Sequence, residues 1–146
     1  MKIAIGSDHA GFELKEILSD HIKNSGHSIE DFGCYGPERA DYPDHAHPLA
    51  QSVQQGQNER GVVICGSGNG INMTVNKYKG VRSALCWDPE LAEMARAHND
   101  ANVLALPARY ISVEKAMECL VAFLNTPFEG GRHEKRVEKI SSNIEQ

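Results

Sequence analysis

The sequence predicts an α/β fold, in which a three-layer, doubly wound (Rossmann-like) five-stranded parallel sheet carries helices on both faces. Short apolar runs alternate with helical patterns in the order βαβαβαβαβα, which favours right-handed crossovers between parallel strands. Several of the runs are apolar without alternation, as in strands covered on both sides. With 146 residues, the chain is expected to form one domain, residues 1–146.

The first half of the chain supplies two strands and two helices. "KIAIG" (2–6) reads as the first strand and "SIEDF" (28–32) as the second. Between them, residues 12–26 predict a helix that ends near Gly26 and places one apolar face inward, formed by Leu14, Ile17, Leu18 and Ile22. A Gly/Pro-rich turn follows, and then a helix through Leu49, Ala50 and Val53. Pro48 is expected either to start that helix late or to kink it.

The second half supplies three strands, "GVVIC" (61–65), "VRSALC" (81–86) and "ANVLALP" (101–107). Helices follow the last two runs. One begins with Asp88 as its N-cap and Pro89 at its first position, and the other begins with Ser112 as its N-cap. The capping residues and the apolar periodicity therefore agree on where these helices start.

Composition excludes several classes of function. A net charge of −5 gives no general attraction to nucleic acid or to an anionic membrane. The sequence shows no signal peptide, and no apolar stretch approaches the roughly 18 residues of a membrane span, so a cytoplasmic protein is expected. Four cysteines without a C-x-x-C pair predict reduced thiols and neither a disulfide framework nor a zinc knuckle.

The segment "CGSGNG", Cys65 to Gly70, carries the strongest functional signal. It follows a predicted strand and opens a helix, so its backbone N–H groups can converge on an anion or a developing oxyanion. The dinucleotide fingerprint fails at Ile71, and no Gly-Lys-Ser/Thr follows to make a P-loop. A tight turn that binds nothing and a buried, inert thiol are the structural alternatives. The position favours Cys65 as either a nucleophile or a base.

Two further pairs are candidates for the site. Asp8 and His9 follow the first strand, which delivers them to the same carboxyl edge as the glycine loop. His98 and Asn99 close the helix before the fifth strand, where they either bind substrate or cap the helix. The remaining histidines outside the C-terminal segment are assigned to structure, with a turn expected around His45 and His47: His21, His27, His45 and His47.

The C-terminal segment "GGRHEKRVEKI" provides a candidate anion handle. Arg132 and Arg136 are four residues apart, so they share one face if the segment is helical. Two guanidinium groups on one face suit a phosphate, whereas a solvated basic helix end is the simpler explanation.

Taken together, five segments resemble the ribose-5-phosphate isomerase B family, which also includes the galactose-6-phosphate isomerase subunits. The segments lie in the same order through nearly the whole chain: "GSDHAGFELK", "DYPDHAHPLA", "CGSGNGINM", "RAHNDANVLAL" and "GGRHEKRV". The resemblance implies interconversion of ribose 5-phosphate and ribulose 5-phosphate through a cis-enediolate in the pentose phosphate pathway. It also implies no metal or other cofactor, and a homodimer, or a dimer of dimers, with active sites shared between subunits.

The resemblance also implies a role for each matching residue. Cys65 would move the proton between C2 and C1, His98 would open the furanose ring, and Ser67 would assist at the hydroxyls. The other implied contacts are to substrate: Asp8, Tyr42 and Asn99 at the sugar or enediolate, the backbone of Gly66, Gly68, Asn69 and Gly70 at the enediolate oxygen, and His9, Arg109, Arg132 and Arg136 at the phosphate.

Three departures from the family pattern and two alternative functions stay open. Ile71 stands where one branch of the family carries a glutamate base, which favours the Cys65 thiolate instead. Ser67 replaces a common threonine, and Pro107 replaces a common glycine just before Arg109. A six-carbon substrate (allose or galactose 6-phosphate) is one alternative. The other is a non-catalytic nucleotide-binding module with Asp88 on a ribose.

Overall fold

The computed structural model describes residues 1–144, which form five strands and six helices. The strands are β1 (Lys2–Ser7), β2 (Ser28–Asp31), β3 (Arg60–Cys65), β4 (Ser83–Leu85) and β5 (Val103–Pro107). The helices are α1 (Phe12–Asn24), α2 (Tyr42–Gln54), α3 (Asn69–Val75), α4 (Pro89–Asn99), α5 (Val113–Asn125) and α6 (Arg132–Lys139). No helix within residues 1–144 is long and apolar enough to cross a bilayer.

All five strands pair in parallel, in the order β2-β1-β3-β5-β4, which confirms the predicted fold class. The connection from β4 through α4 leads back toward the centre, so β5 lies between β3 and β4. Consequently the loops after β1, β3 and β5 are neighbours at the carboxyl edge of the sheet. Ligands of open parallel sheets bind outside this edge.

Alternating side chains of the central strands supply two separate apolar cores. On one face, Ile3, Ile5 and their counterparts in β3 and β5 pack against α1, α4 and α5. On the other face, Ala4 and Val63 pack against α2 and α3. Cys65 belongs to this second face, so the sequence position of the thiol directs it toward the N-terminal ends of α2 and α3.

Four local expectations differ from the structure. β4 is three residues long and half-buried at the edge of the sheet, because the polar Arg82 and Ser83 interrupt the apolar run. Ile17 is 41% exposed, so it does not join the apolar face of α1. α2 starts at Tyr42 and continues past Pro48, and the predicted turn at 45–47 lies inside this helix.

Lys15 lies on the buried face of α1, together with Leu14 and Leu18. Its side chain is fully buried, and Nζ lies 2.6 Å from Asp31 Oδ2 and 2.9 Å from Glu16 Oε1. Burial by itself lowers the pKa of Lys15, but the hydrogen bonds and charges of both carboxylates outweigh it, so the pKa is raised. Lys15 therefore remains charged inside the protein and ties α1 to β2.

Candidate active site

A cleft of about 320 Å³ opens at the carboxyl edge of the sheet. Its lining residues come from four separate parts of the chain: Asp8, Tyr42, Cys65, Gly66, Ser67, Gly70, Arg109 and Tyr110. All of these except Tyr110 are candidates from the sequence. The parallel topology explains the convergence, because β1, β3 and β5 end side by side.

Cys65 is the last residue of β3 and is 4% exposed, so its thiol borders the cleft from the protein interior. Two backbone hydrogen bonds extend the pairing of β3 and β5 beyond the sheet. The N–H of Ala108 donates to Cys65 O at 2.9 Å, and the N–H of Arg109 donates to Gly66 O at 3.0 Å. These bonds bring Arg109 beside the glycine loop even though Pro107 ends β5.

The glycine loop needs bare backbone at two positions. Gly68 has φ of +75°, a left-handed conformation that side chains disfavour, and it leads directly into α3. At Gly70 the reason is a close approach, since an added Cβ would lie 2.4 Å from Cζ of Tyr42. The ring of Tyr42 therefore lies against the loop at the mouth of the cleft.

Asp8 and His9 are each held by hydrogen bonds to backbone groups. Asp8 is 8% exposed, and its Oδ1 accepts a hydrogen bond from the N–H of Gly11 at 3.0 Å. His9 places Nδ1 3.2 Å from the backbone of Ala40, which leaves Nε2 as the nitrogen available to a ligand. His9 is thus fixed beside the cleft, although it does not line the cavity.

A second cavity, of about 580 Å³, adjoins the cleft. The two cavities share Ser67 and Tyr110, and the other lining residues of the second are Asn69, Leu85, Trp87 and Pro107. Trp87 is 57% exposed and Tyr110 is 76% exposed. The cleft therefore opens toward a wider space bounded by two exposed aromatic rings.

The remaining predicted site residues lie at the opposite edge of the sheet, in what is called here the amino-edge cluster: His98, Asn99, Arg132 and Arg136. α4 runs back from the carboxyl edge and ends at Asn99, just before β5 begins. α5 makes the same return, and α6 follows it with both arginines. With about 3.3 Å per strand residue, the two edges are about 20 Å apart. One chain therefore does not bring this cluster to Cys65.

His133 lies next to the amino-edge cluster and stacks on His98, with ring centroids 4.2 Å apart and ring planes 12° from parallel. The carboxylate of Glu129 lies beside both rings, 3.8 Å from Nε2 of His98 and 3.9 Å from Nε2 of His133. Burial lowers the pKa of His133, and the neighbouring charges of His98 and Arg132 lower it further.

Arg96 holds the end of α4 in place. This residue is 5% exposed and donates hydrogen bonds to Asp100 Oδ1 at 2.9 Å, Ala101 O at 2.7 Å and Thr126 O at 3.1 Å. Asp100 adopts φ of +49°, which ends the helix immediately after Asn99. The buried guanidinium of Arg96 therefore fixes the end of α4 that carries His98 and Asn99.

Three neighbours of the site were absent from the sequence candidates. Tyr110 follows Arg109 directly, and Glu129 and His133 flank the Gly-Gly-Arg segment. The signal in the sequence that could have identified them is that each is a near neighbour of a predicted site residue. Conversely, Asp88 is engaged as the N-cap of α4, where it accepts a hydrogen bond from the N–H of Glu90 at 3.0 Å. This engagement disfavours a ribose-binding role for Asp88.

Comparisons with known proteins show the family to which the chain belongs. The model of the ribose/galactose isomerase family matches residues 3–140. Ribose-5-phosphate isomerase B of Escherichia coli is 43% identical over 145 residues, which cover 99% of this chain and 97% of the relative.

Two solved structures extend the comparison. Ribose-5-phosphate isomerase B of Clostridium thermocellum is 46% identical with a TM-score of 0.94, covering 96% of this chain and 95% of that one. The enzyme of Mycoplasma genitalium, solved with bound ribulose 5-phosphate, is 40% identical with a TM-score of 0.91, covering 95% and 93%. The family match over most of the chain, together with these identities, shows that this chain belongs to the ribose/galactose isomerase family.

Proposed function

We propose that this protein interconverts ribose 5-phosphate and ribulose 5-phosphate through a cis-enediolate, with Cys65 as the base. The observation that carries the proposal is the cleft in which the Cys65 thiol, the Asp8 carboxylate and the glycine loop meet. Aldose–ketose isomerisation needs a base at the carbon next to the carbonyl, a stabiliser for the enediolate oxygen and a handle that positions the substrate. The family membership supports this choice of reaction.

Each part of the cleft has a role in this reaction. Cys65 as thiolate takes the proton from C2 of the open-chain aldose and returns it to C1. The backbone N–H groups of Gly66–Gly70 stabilise the negative oxygen, and an N–H at these positions needs no side chain to donate. Asp8, Ser67 and Tyr42 contact the sugar hydroxyls.

The other roles require a second copy of the chain. His98 would open the furanose ring, Asn99 would bind a sugar oxygen, and Arg132 and Arg136 would bind the phosphate with His9 and Arg109. The amino-edge cluster lies about 20 Å from the cleft of its own chain, the length of a six-residue strand. We infer a homodimer in which the cluster of one subunit faces the cleft of the other, and an isologous two-fold interface makes two such sites.

Hybrid dimers test the shared site. Cys65→Ala and His98→Asn damage opposite halves, so each variant alone should isomerise ribose 5-phosphate poorly. After subunit exchange in a 1:1 mixture, half of the dimers are hybrids with one intact site each, so about a quarter of the wild-type activity should return. Exchange is verified by native mass spectrometry. Confirmed hybrids without any recovered activity would contradict the shared site.

Cys65→Ala also tests the base directly. Loss of positioned proton transfer should lower kcat about 10²- to 10⁴-fold, while substrate binding persists. Cys119→Ala is the matched control, because burial raises the pKa of Cys119 to about 11 and this thiol is fully enclosed in the core. Near-normal turnover by Cys65→Ala would overturn the assignment.

A six-carbon sugar phosphate is the second candidate substrate. The cavity of about 580 Å³ that shares Ser67 and Tyr110 with the cleft offers room for a longer sugar. Comparing kcat/KM for ribose, allose and galactose phosphates decides between the two. A higher value for a six-carbon phosphate would replace ribose 5-phosphate as the assigned substrate.

A further inference from the structure

Two residues next to the amino-edge cluster, Glu129 and His133, have no role in the proposed isomerisation, and both lie beside His98. One ring nitrogen of His98, one ring nitrogen of His133 and one carboxylate oxygen of Glu129 all lie within 4.8 Å of one another. We propose that these three side chains form an inhibitory binding site for Zn²⁺ or a similar transition-metal ion. Two imidazole nitrogens and one carboxylate oxygen are a donor set that zinc commonly takes in proteins.

The separations are close to those that a zinc ion requires. Nε2 of His98 lies 3.8 Å from Oε1 of Glu129, and Nε2 of His133 lies 3.9 Å from Oε2 of the same carboxylate, whereas ligand atoms on a tetrahedral zinc ion are about 3.3 Å apart. Each nitrogen–oxygen contact must therefore shorten by about 0.5 Å, and the two ring nitrogens must also approach each other from a separation of at most 4.8 Å. Because the rings are nearly parallel, one imidazole must also turn so that both nitrogens point at one ion. The His98 side chain is 36% exposed and has room to turn, while His133 is 9% exposed and stays in place.

Backbone contacts hold the donors near each other before any ion binds. The N–H of Glu129 donates to Ala97 O at 3.0 Å, which fastens this loop beside His98. The N–H of His133 donates to Gly130 O at 3.1 Å, and Arg96 binds Thr126 O. Nitrogen ligands favour Zn²⁺ over Mg²⁺ and Ca²⁺, which take oxygen ligands.

Zinc bound here would stop ring opening by His98. This inhibitory effect rests on the proposed function. A metal ion occupies the Nε2 lone pair of His98, so this nitrogen can no longer accept or deliver a proton. Arg132 and Arg136 are close enough to shift the pKa of His133, and their charges oppose a dication. With three protein ligands and this repulsion, we expect a Kd on the order of 1 µM.

The binding test uses Zn²⁺ itself and needs no isomerase activity. Full-length protein freed of metal is titrated at pH 7.5 in competition with a chromophoric chelator, and one Zn²⁺ per chain is expected. Glu129→Gln and His133→Asn should each weaken binding at least tenfold. His47→Asn and Cys65→Ser are the controls, since His47 binds Tyr78 elsewhere and the Cys65 thiol in the cleft is an alternative zinc ligand. Thermal unfolding without metal checks that all variants fold.

Two results would overturn the site. Equal zinc binding by wild type, Glu129→Gln and His133→Asn would exclude these ligands, and loss of binding in Cys65→Ser would place the ion on the thiol. The inhibition test is separate: Zn²⁺ should inhibit ribose 5-phosphate isomerisation at the concentration that fills the site, and EDTA should restore activity. Stoichiometric binding at this cluster without inhibition of an active isomerase would overturn the inhibitory role of the site.

Discussion

Gly70→Ala is the substitution that most directly tests the role of Tyr42. The added methyl would lie 2.4 Å from Cζ and 2.7 Å from the hydroxyl oxygen of Tyr42, whereas carbon atoms in contact are about 3.5–4.0 Å apart. The ring must therefore withdraw by about 1 Å or more. Tyr42 is 36% exposed, so it can move toward solvent without opening the core.

The expected cost falls on substrate binding rather than on stability. Alanine in place of glycine inside α3 gains about 0.5–1 kcal/mol, which offsets the lost packing of Tyr42, so the free energy of unfolding should change by less than about 1 kcal/mol. The N–H of residue 70 is retained. Loss of one hydrogen bond to the sugar costs about 0.5–1.5 kcal/mol, so kcat/KM for ribose 5-phosphate should fall about twofold to twelvefold.

A double-mutant cycle supplies the control. In a Tyr42→Ala background the ring is absent, and Gly70→Ala should change kcat/KM by less than about twofold. An equal loss in both backgrounds would show that the methyl itself blocks the cleft, and no loss in either would show that Tyr42 does not contact the sugar. Chemical denaturation of each variant confirms that stability is comparable.

Three further predictions concern the opposite edge and the core. His98→Asn should lower turnover of cyclic ribose 5-phosphate far more than turnover of an acyclic four-carbon aldose phosphate, and equal losses would contradict a ring-opening role. The double variant Arg132→Ala/Arg136→Ala should have a higher KM and a lower kcat for ribose 5-phosphate. Arg136→Lys should change both constants by a smaller factor, because lysine keeps the charge but loses the planar guanidinium. Unchanged constants in the folded double variant would show that these arginines only contact solvent. Since the folded-state pKa of Lys15 is raised, its contribution to stability is complete below about pH 10.4 and is lost as pH rises through the folded value. The free energy of unfolding of Lys15→Met should therefore be about 1–3 kcal/mol below that of the wild type at pH 8 and should approach the wild-type value at high pH. Lys23→Met, at an exposed position, is the control and should show no such pH dependence. A difference between Lys15→Met and wild type that stays constant with pH would refute the charged pair.

Much of the fold could be predicted because local signals and burial agree. Asp88 and Ser112 cap α4 and α5 as expected, each accepting a hydrogen bond from a backbone N–H of the first turn. Pro48 misled the prediction for α2, because packing of Leu49 and Ala50 stabilises a helix that lacks one backbone hydrogen bond. Lys15 was equally hidden, since no pattern in α1 shows that Asp31 lies beside it.

The candidate site residues lie at two opposite edges of the sheet, and the sequence motifs alone do not show this division. Cys65 ends β3 and Asp8 directly follows β1, so the α/β pattern alone predicts that both lie at the carboxyl edge of the sheet. His98 lies at a helix end, and the direction of α4 carries it to the other edge of the sheet. The order β3-β5-β4 was also beyond reach, because a right-handed crossover can place the next strand on either side of its predecessor.

The opposite placement of the cleft and the amino-edge cluster has a consequence for dilution. A separated chain holds the two halves about 20 Å apart, so under the proposed shared site only the dimer is active. Below the dissociation constant of the dimer, the concentration of assembled sites falls with the square of the protein concentration. Specific activity then decreases in proportion to dilution, so activity per chain depends on the concentration of the protein itself.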